Sequence, residues 1–331
     1  MTSPRWIFLT GGTGLVGRRV AKALLDRGDR VRVLTRRRAA AEAIADLQGA
    51  ELVEGDPAVA GDWMRRLDDC SGVVNLAGEP IFSGHGVFGV FRLRWSSETK
   101  KAIRESRIQA TRNVAQAARQ AAIPPEVWVQ ASAIGYYGPR GDEAVDENAS
   151  PGDDFLAQVC RDWEAEARTG PAATRLAILR IGVVLERDSG ALGMLGPLVR
   201  WIPFAAAPIG GGRYWWSPGN GSQWMSWIEI EDLTRMILWA LDEPKASGPI
   251  NAAAPEPARN VDFMKALARE LHRPSLPFGP PAAALRLVMG EAASTFLFGQ
   301  RVLPKRALDA GFSFRFPRLE PALARIFRKN A

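Results

Sequence analysis

A chain of 331 residues, 47% apolar and 24% charged, has material for one large core, or for a large core with a smaller appendage. No run of about 18 uncharged apolar residues occurs, which excludes a transmembrane helix. The net charge of +7 raises nucleic-acid binding, but apart from Arg36-Arg37-Arg38 the basic residues are scattered. No helix-turn-helix, zinc-finger or RNP pattern accompanies them, so the expectation is no nucleic-acid and no membrane partner. Cys70 and Cys160 fit no C-x-x-C spacing, and His85 and His272 share no metal-ligand spacing. The expectation is therefore no metal site, no Ser-His-Asp triad, reduced thiols and a cytoplasmic protein. The start, Met1-Thr2-Ser3-Pro4-Arg5, runs directly into a strand, so no signal peptide is expected.

In chain order, the apolar run Trp6 to Thr10 ends in Gly11-Gly12-Thr13-Gly14-Leu15-Val16-Gly17. Glycines 12, 14 and 17 satisfy G-x-G-x-x-G, and glycines 11, 14 and 17 satisfy G-x-x-G-x-x-G. With a strand before and a helix after, this is a turn whose backbone N–H groups can hold a pyrophosphate. A P-loop is excluded, because Arg18-Arg19 stand where Lys then Ser/Thr are required. Val16 to Arg27 has helical spacing with Gly28 as its stop, and Val31 to Thr35 reads as a strand. The residues after this second strand select the cofactor. An acid there accepts from the ribose hydroxyls of NAD, whereas Thr35-Arg36-Arg37-Arg38 contains none and offers guanidinium groups to a 2′-phosphate. The expected cofactor is NADP(H).

Residues 39–47 read as a helix and 51–56 as the third strand with its end; Asp56 meets the adenine edge or serves a turn. Gly72 to Gly78 reads as the fourth strand, ending in the small residues Leu76-Ala77-Gly78. Residues 80–94 look irregular, 95–122 form a long amphipathic helix, and 127–132 the fifth strand. A helix over 154–168 and a strand over 174–184 follow. Residues 186–226 are rich in Gly, Pro and Trp; tryptophans 215, 216, 224 and 227 either line a substrate pocket or pack the interior. A short strand at 226–230, a helix at 231–241, a last strand at 249–253 and a mainly helical tail complete the pattern. Such alternation specifies an α/β fold, a Rossmann-type doubly wound parallel sheet with a small, mainly helical C-terminal domain. The expected division is a cofactor domain over 1–250, with 186–226 on the substrate side, and a C-terminal domain over 275–325.

The segments Thr10–Gly17, Asn75–Gly78 and Ala131-Ser132-Ala133-Ile134-Gly135-Tyr136-Tyr137-Gly138 resemble the short-chain dehydrogenase/reductase superfamily, in its extended, epimerase-like branch. Leu76–Ile81, Ser106-Arg107-Ile108, Ser226–Leu233 and Gly299–Pro304 narrow the resemblance to the atypical epimerase family proteins with a DUF1731-type C-terminal domain. The resemblance implies an NADP(H)-binding enzyme of epimerase, dehydratase or oxidoreductase type acting on an unidentified small molecule. By position it implies cofactor contacts from the Gly11–Gly17 turn, Thr35, Arg36, Leu76, Ala77, Gly78 and Arg107, with Val184 near the nicotinamide.

In that superfamily a Ser or Thr ends strand five, and a Y-x-x-x-K pair on the next helix does acid–base work, the ammonium lowering the pKa of the phenol. Here the helix has no Tyr and no Lys: depending on register, the two positions are Leu156 and Cys160, or Gln158 and Asp162. Ser132, Tyr136 and Tyr137 are the remaining catalytic candidates, with Lys101 or Arg161 as the cation. A second reading is an NADP(H)-binding sensor or regulatory protein without turnover. The sequence leaves the oligomeric state open.

Overall fold

Short apolar runs alternating with helical spacing build a seven-stranded parallel main sheet covered on both faces. In the computed structural model, residues 5–82, 94–201, 206–209 and 219–328 are described. The chain runs β1 (Trp6–Thr10), α1 (Leu15–Asp26), β2 (Arg30–Thr35), α2 (Arg38–Glu42), β3 (Glu51–Glu54), β4 (Gly72–Asn75), α3 (Ser97–Gln120), β5 (Val127–Ala133), β6 (Ala144–Val145), α4 (Phe155–Ala167), β7 (Arg175–Ile181) and β8 (Val183–Glu186). It continues through α5 (Gly190–Trp201), β9 (Trp224–Met225), β10 (Trp227–Glu229), α6 (Ile230–Asp242), β11 (Gly248–Ala252), β12 (Ala258–Arg259) and α7 (Asn260–Glu270). The tail forms α8 (Ala282–Met289), α9 (Ser294–Leu297), β13 (Arg301–Val302), α10 (Lys305–Asp309) and α11 (Leu319–Phe327).

The main sheet has the order β11-β7-β5-β4-β1-β2-β3, and every neighbouring pair is parallel. From β1 the chain moves outward through β2 to β3, then crosses to β4 on the other side of β1. The carboxyl end of β1 is therefore a topological switch point, where open α/β sheets bind their ligands. The pleat divides β1 between two cores. Ile7 and Leu9 pack with Val20 and Leu24 of α1 and Met236 and Ile237 of α6, while Phe8 packs with Trp63, Val114 of α3 and Trp128.

Three segments depart from the sequence expectation, each for a local reason. The helix expected over 39–47 is broken: α2 stops early, Ile44 becomes extended at ψ 111, and a 3-10 turn at Ala45–Leu47 delivers Leu47 to the core. The strand expected over 174–184 splits at Gly182, where β8 leaves the main sheet to pair with β10. A Cβ on Gly182 would lie 2.8 Å from the Ser226 carbonyl oxygen, so glycine permits this close approach. Helix α5 stands in a stretch whose Gly and Pro content gave no helical expectation, and it carries Pro197 internally. Residues 83–93 of the expected irregular segment lie outside the described residues.

The tail is fastened to the cofactor half at several places. Ala307 and Phe312 belong to the main core, whereas Leu319, Ala322 and Leu323 of α11 pack with Phe263 and Leu267 of α7. Asp232, fully buried near the start of α6, accepts from the backbone N–H groups of Arg315 at 2.9 Å and Phe316 at 2.8 Å. Glu229 caps the same helix, accepting from the N–H of Glu231 at 2.6 Å, and Arg325 Nη1 reaches it at 2.7 Å.

Burial pushes the Glu229 carboxyl from its ordinary 4.5 up to about 7, against the opposing pull of Arg325. Across that window the native state holds a proton that the unfolded chain has lost, so stability falls as pH rises from about 4.5 to about 7. Glu229→Gln removes the titration. Between pH 5 and pH 8 the stability of this variant relative to wild type should shift in its favour by roughly 2–4 kcal/mol. Denaturant unfolding across that range measures the shift, and parallel curves for the two proteins would refute this role of Glu229.

Candidate cofactor and substrate site

Four glycines make the turn after β1 possible. Gly11 has φ +69, in the left-handed region, and a Cβ there would meet the Leu76 carbonyl oxygen at 2.7 Å. A Cβ on Gly12 would strike Val33 Cγ1 at 2.5 Å, and one on Gly17 the Gly11 carbonyl oxygen at 2.2 Å. The turn is thus wedged between the ends of β2 and β4 and the first turn of α1. Thr13 is exposed at its tip, and Gly14, the N-cap of α1, contributes no side chain. The first intrahelical bond runs from Arg18 N–H to the Gly14 carbonyl at 3.0 Å, which leaves the N–H groups of Leu15, Val16 and Gly17 at an open helix end. No acidic side chain stands in that first turn. This is the electrostatic arrangement that takes an anion.

The floor beside the turn is held by a buried polar network. Asn75, at the end of β4, accepts from the Thr10 hydroxyl and donates to Thr111 Oγ1 at 2.9 Å and Gln130 Oε1 at 2.8 Å. Trp163 Nε1 of α4 also donates to Thr111 Oγ1, at 2.8 Å. One amide side chain therefore ties together β1, β4, α3 and β5, and Thr111 adds α4. In the sequence Thr111 stands on the long helix without a role, and Gln130 reads only as part of the fifth strand. Their signal was a polar residue at buried positions of otherwise apolar elements. The backbone of Leu76-Ala77-Gly78 continues from Asn75, and the Ala77 N–H lies 3.3 Å from Thr10 Oγ1.

Arg107 of α3 covers Gly78: a Cβ on that glycine would sit 3.2 Å from Arg107 Cγ. The guanidinium donates to the Ile103 carbonyl at 2.9 Å and lies 5.2 Å from the Trp163 ring centre. Among the described residues no carboxylate lies within salt-bridge distance of Arg107, and desolvation lowers its pKa. At the end of β2, Thr35 is buried and Arg36 is 62% exposed, with Nη1 at 3.2 Å from Glu79 Oε1. Arg38 pairs with Glu42 on α2. Asp56 accepts from the Ala58 N–H at 2.9 Å and so serves a turn. Half-buried Val184 lies on β8, whose backbone approaches Gly190 and, through it, Leu15.

The catalytic candidates are placed differently from expectation. Ser132 is 3% exposed and donates to Glu164 Oε1 at 2.9 Å. Glu164 is bound in turn by Arg180 through two bonds of 2.8 and 3.0 Å. Tyr137 is 0% exposed; its hydroxyl donates to Asn251 Oδ1 at 2.6 Å and accepts from Arg180 Nη1 at 3.0 Å, and burial pushes its pKa up to about 12. Both hydroxyls, of Ser132 and Tyr137, are thus committed to an interior ion network. Glu164 lies one turn beyond Cys160 on α4, so the Ser132 hydroxyl is taken up by the inner end of that helix. Tyr136 is half-buried beneath Arg180, whose Cζ lies 3.5 Å from its ring centre, and its hydroxyl has no partner among the described residues.

Gly135 is the residue of this turn that meets α4: a Cβ there would lie 3.5 Å from Leu156 Cβ and 3.9 Å from Cys160 Sγ. Leu156 and Cys160 therefore lie one turn apart on the face of α4 that meets this turn. Gln158 is exposed, and Asp162 pairs with Arg104 at 2.6 Å. Burial pushes the Cys160 thiol up to about 12. Lys101 and Arg161, the alternative cations, are exposed and lie beside Glu105 and Asp162. Trp227 is fully buried, whereas Trp224 donates to Asp142 at 2.8 Å and packs against Arg259 and Arg301; Trp215 and Trp216 lie outside the described residues.

The family model described as NAD dependent epimerase/dehydratase matches residues 7–253, and a domain of unknown function, DUF1731, matches residues 280–326. The chain belongs to the NAD dependent epimerase/dehydratase family. The Arabidopsis thaliana protein named epimerase family protein SDR39U1 homolog, chloroplastic, is 39% identical over 328 residues, covering 97% of this chain and 86% of that one. An epimerase family protein of Mycobacterium leprae is 34% identical, covering 96% and 94%. The crystal structure of human epimerase family protein SDR39U1 (isoform 2) with NADPH superposes with a TM-score of 0.81 at 31% identity, covering 97% and 99%. Helix α4 contains neither a Tyr nor a Lys. Among the described residues no helix is long and apolar enough to cross a membrane.

Proposed function

We propose that this epimerase-family chain binds NADP(H) at the carboxyl edge of β1, β4 and β5 and acts on a small-molecule substrate as an oxidoreductase. The observation that carries the reading is the acid-free end of β2, with exposed Arg36 beside a glycine turn that only hydrogen can line. The residues fit the group: the open first turn of α1 takes the pyrophosphate, Thr35 and Arg36 the 2′-phosphate, and Leu76, Ala77, Gly78 and Arg107 the inner edge. When bound, the nicotinamide supplies hydride chemistry. The related human protein solved with NADPH supports the choice of phosphorylated cofactor. Of the three hydroxyls considered, Tyr136 is the one left for a direct catalytic role.

Arg36 must release Glu79 to take a phosphate, which costs little because the pair is exposed. Arg36→Asp should weaken NADPH by about 1–3 kcal/mol and leave NADH nearly unchanged. Calorimetric titration of both cofactors measures this, and an unchanged preference would return Arg36 to the solvated surface. A second reading, a cofactor-binding sensor without turnover, is favoured by one observation: the apolar Leu156 and buried Cys160 on the site face of α4. It predicts tight binding and no cofactor oxidation across a broad substrate panel.

A further inference from the structure

The cluster of half-buried apolar residues above α4 points to a substrate class. Three aromatic contacts run in series: Phe296 to Phe82 with ring centres 5.4 Å apart, Phe82 to Trp95 at 6.2 Å, and Trp95 to Phe155 at 5.6 Å. Leu156 and Met194 join the same cluster. Trp95 is nearly buried and donates Nε1 to the Ile81 carbonyl at 2.9 Å, so its polar atom is turned inward. Phe82, Phe155, Leu156, Met194 and Phe296 remain half-buried and so retain open apolar surface. The wall is continuous with the cofactor edge on two sides. Phe82 follows Gly78 and Glu79 from the end of β4, and Leu156 lies against Gly135 beyond the end of β5. Lys100 lies 4.5 Å from the Phe155 ring centre and is already held by both oxygens of Glu291, at 3.0 and 2.8 Å.

We propose that this wall binds a neutral, planar, conjugated carbonyl compound of quinone type, in place of a nucleotide sugar. The inference rests on the NADP(H) reading above. Two independent features carry it. Aromatic faces stack on flat conjugated rings, whereas a sugar diphosphate needs unpaired cations and hydrogen-bonding groups. The second feature is the pair Leu156 and Cys160. Oxidising a sugar alcohol requires a base to take the hydroxyl proton as hydride departs, and these two side chains provide none. A conjugated carbonyl that accepts hydride becomes a delocalised anion and needs no protein acid. The acceptor gains two electrons and one hydrogen as hydride from the reduced nicotinamide, which is oxidised, and one proton from water, giving the hydroquinone.

The test uses the full chain saturated with NADP+, where no turnover occurs, and measures binding of 1,4-naphthoquinone and of UDP-glucose by equilibrium dialysis. Naphthoquinone should bind at least tenfold more tightly. Phe82→Ser and Phe296→Ser should each weaken it at least tenfold while leaving NADP+ affinity unchanged. Leu156→Ala provides a milder truncation if either serine variant fails to fold. With NADPH in place of NADP+, naphthoquinone should oxidise the cofactor. Tighter binding of UDP-glucose, or naphthoquinone binding indifferent to all three substitutions, would overturn the substrate class while the cofactor reading stands. NADP+ binding with no naphthoquinone binding would overturn it in favour of the sensor. Failure of NADP+ itself to bind would instead bring down the cofactor reading on which the inference rests.

Discussion

Gly17→Ala is expected to abolish NADP(H) binding. A methyl group there would sit 2.2 Å from the Gly11 carbonyl oxygen and 2.7 Å from Gly12 Cα, and both obstacles are backbone. No rotamer change can relieve the clash, so α1 must move away from the turn and carry its open N–H groups with it. Overpacking of this kind costs roughly 1–3 kcal/mol of stability, and the loss of aligned donors should reduce cofactor affinity at least a hundredfold. Gly14→Ala is the natural control, because its Cβ would lie 3.3 Å from the Gly11 carbonyl, a distance that a small shift relieves. Thermal unfolding together with NADPH titration separates the two variants. Equal affinities for Gly17→Ala and wild type would show that the turn is not the pyrophosphate site.

Breaking the ion pair beneath β5 should have the largest effect on stability. Arg180 and Glu164 have side chains 2% and 0% exposed, and they share partners with Ser132 and Tyr137. Arg180→Met leaves the Glu164 carboxylate buried with half-exposed Arg168, at 3.0 Å, as its one cation and the Ser132 hydroxyl as its other partner. Removing one member of a buried pair costs about 3–5 kcal/mol, because the other charge stays desolvated. Replacing both, Arg180→Met with Glu164→Leu, should recover most of that loss. Urea unfolding measures both variants, and a single substitution within about 1 kcal/mol of wild type would refute the account of this network.

The parallel sheet and the glycine turn were legible because their signals are local. A short apolar run before Gly11 and helical spacing after it determine the first βα unit, and β1 to β5 repeat the pattern. What escaped the sequence depends on contacts between distant segments. Gly182 breaks a strand because Ser226 comes close to it. Ile44 leaves the helix so that Leu47 can reach the core. The site suffered most from a question of facing. Ser132 is a catalytic candidate by residue type and place, yet its hydroxyl is bound to the buried Glu164 of α4, a contact between distant segments. The contact of Gly135 with Leu156 and Cys160 of α4 likewise depends on the tertiary structure. The residues proposed for the cofactor stand out in the sequence because a phosphate is recognised by backbone geometry and a charge at a fixed topological position. The aromatic cluster proposed as a substrate wall does not, because Phe82, Trp95, Phe155 and Phe296 come from separate elements.

The central claim is that the switch point of this epimerase-family sheet holds a phosphorylated nicotinamide dinucleotide. Calorimetric titration of the full wild-type chain with NADPH, and in parallel with NADH, tests it most directly. One site per chain with NADPH at least tenfold tighter than NADH is the predicted result. Equal affinities, or no binding of either cofactor to the folded protein, would contradict it.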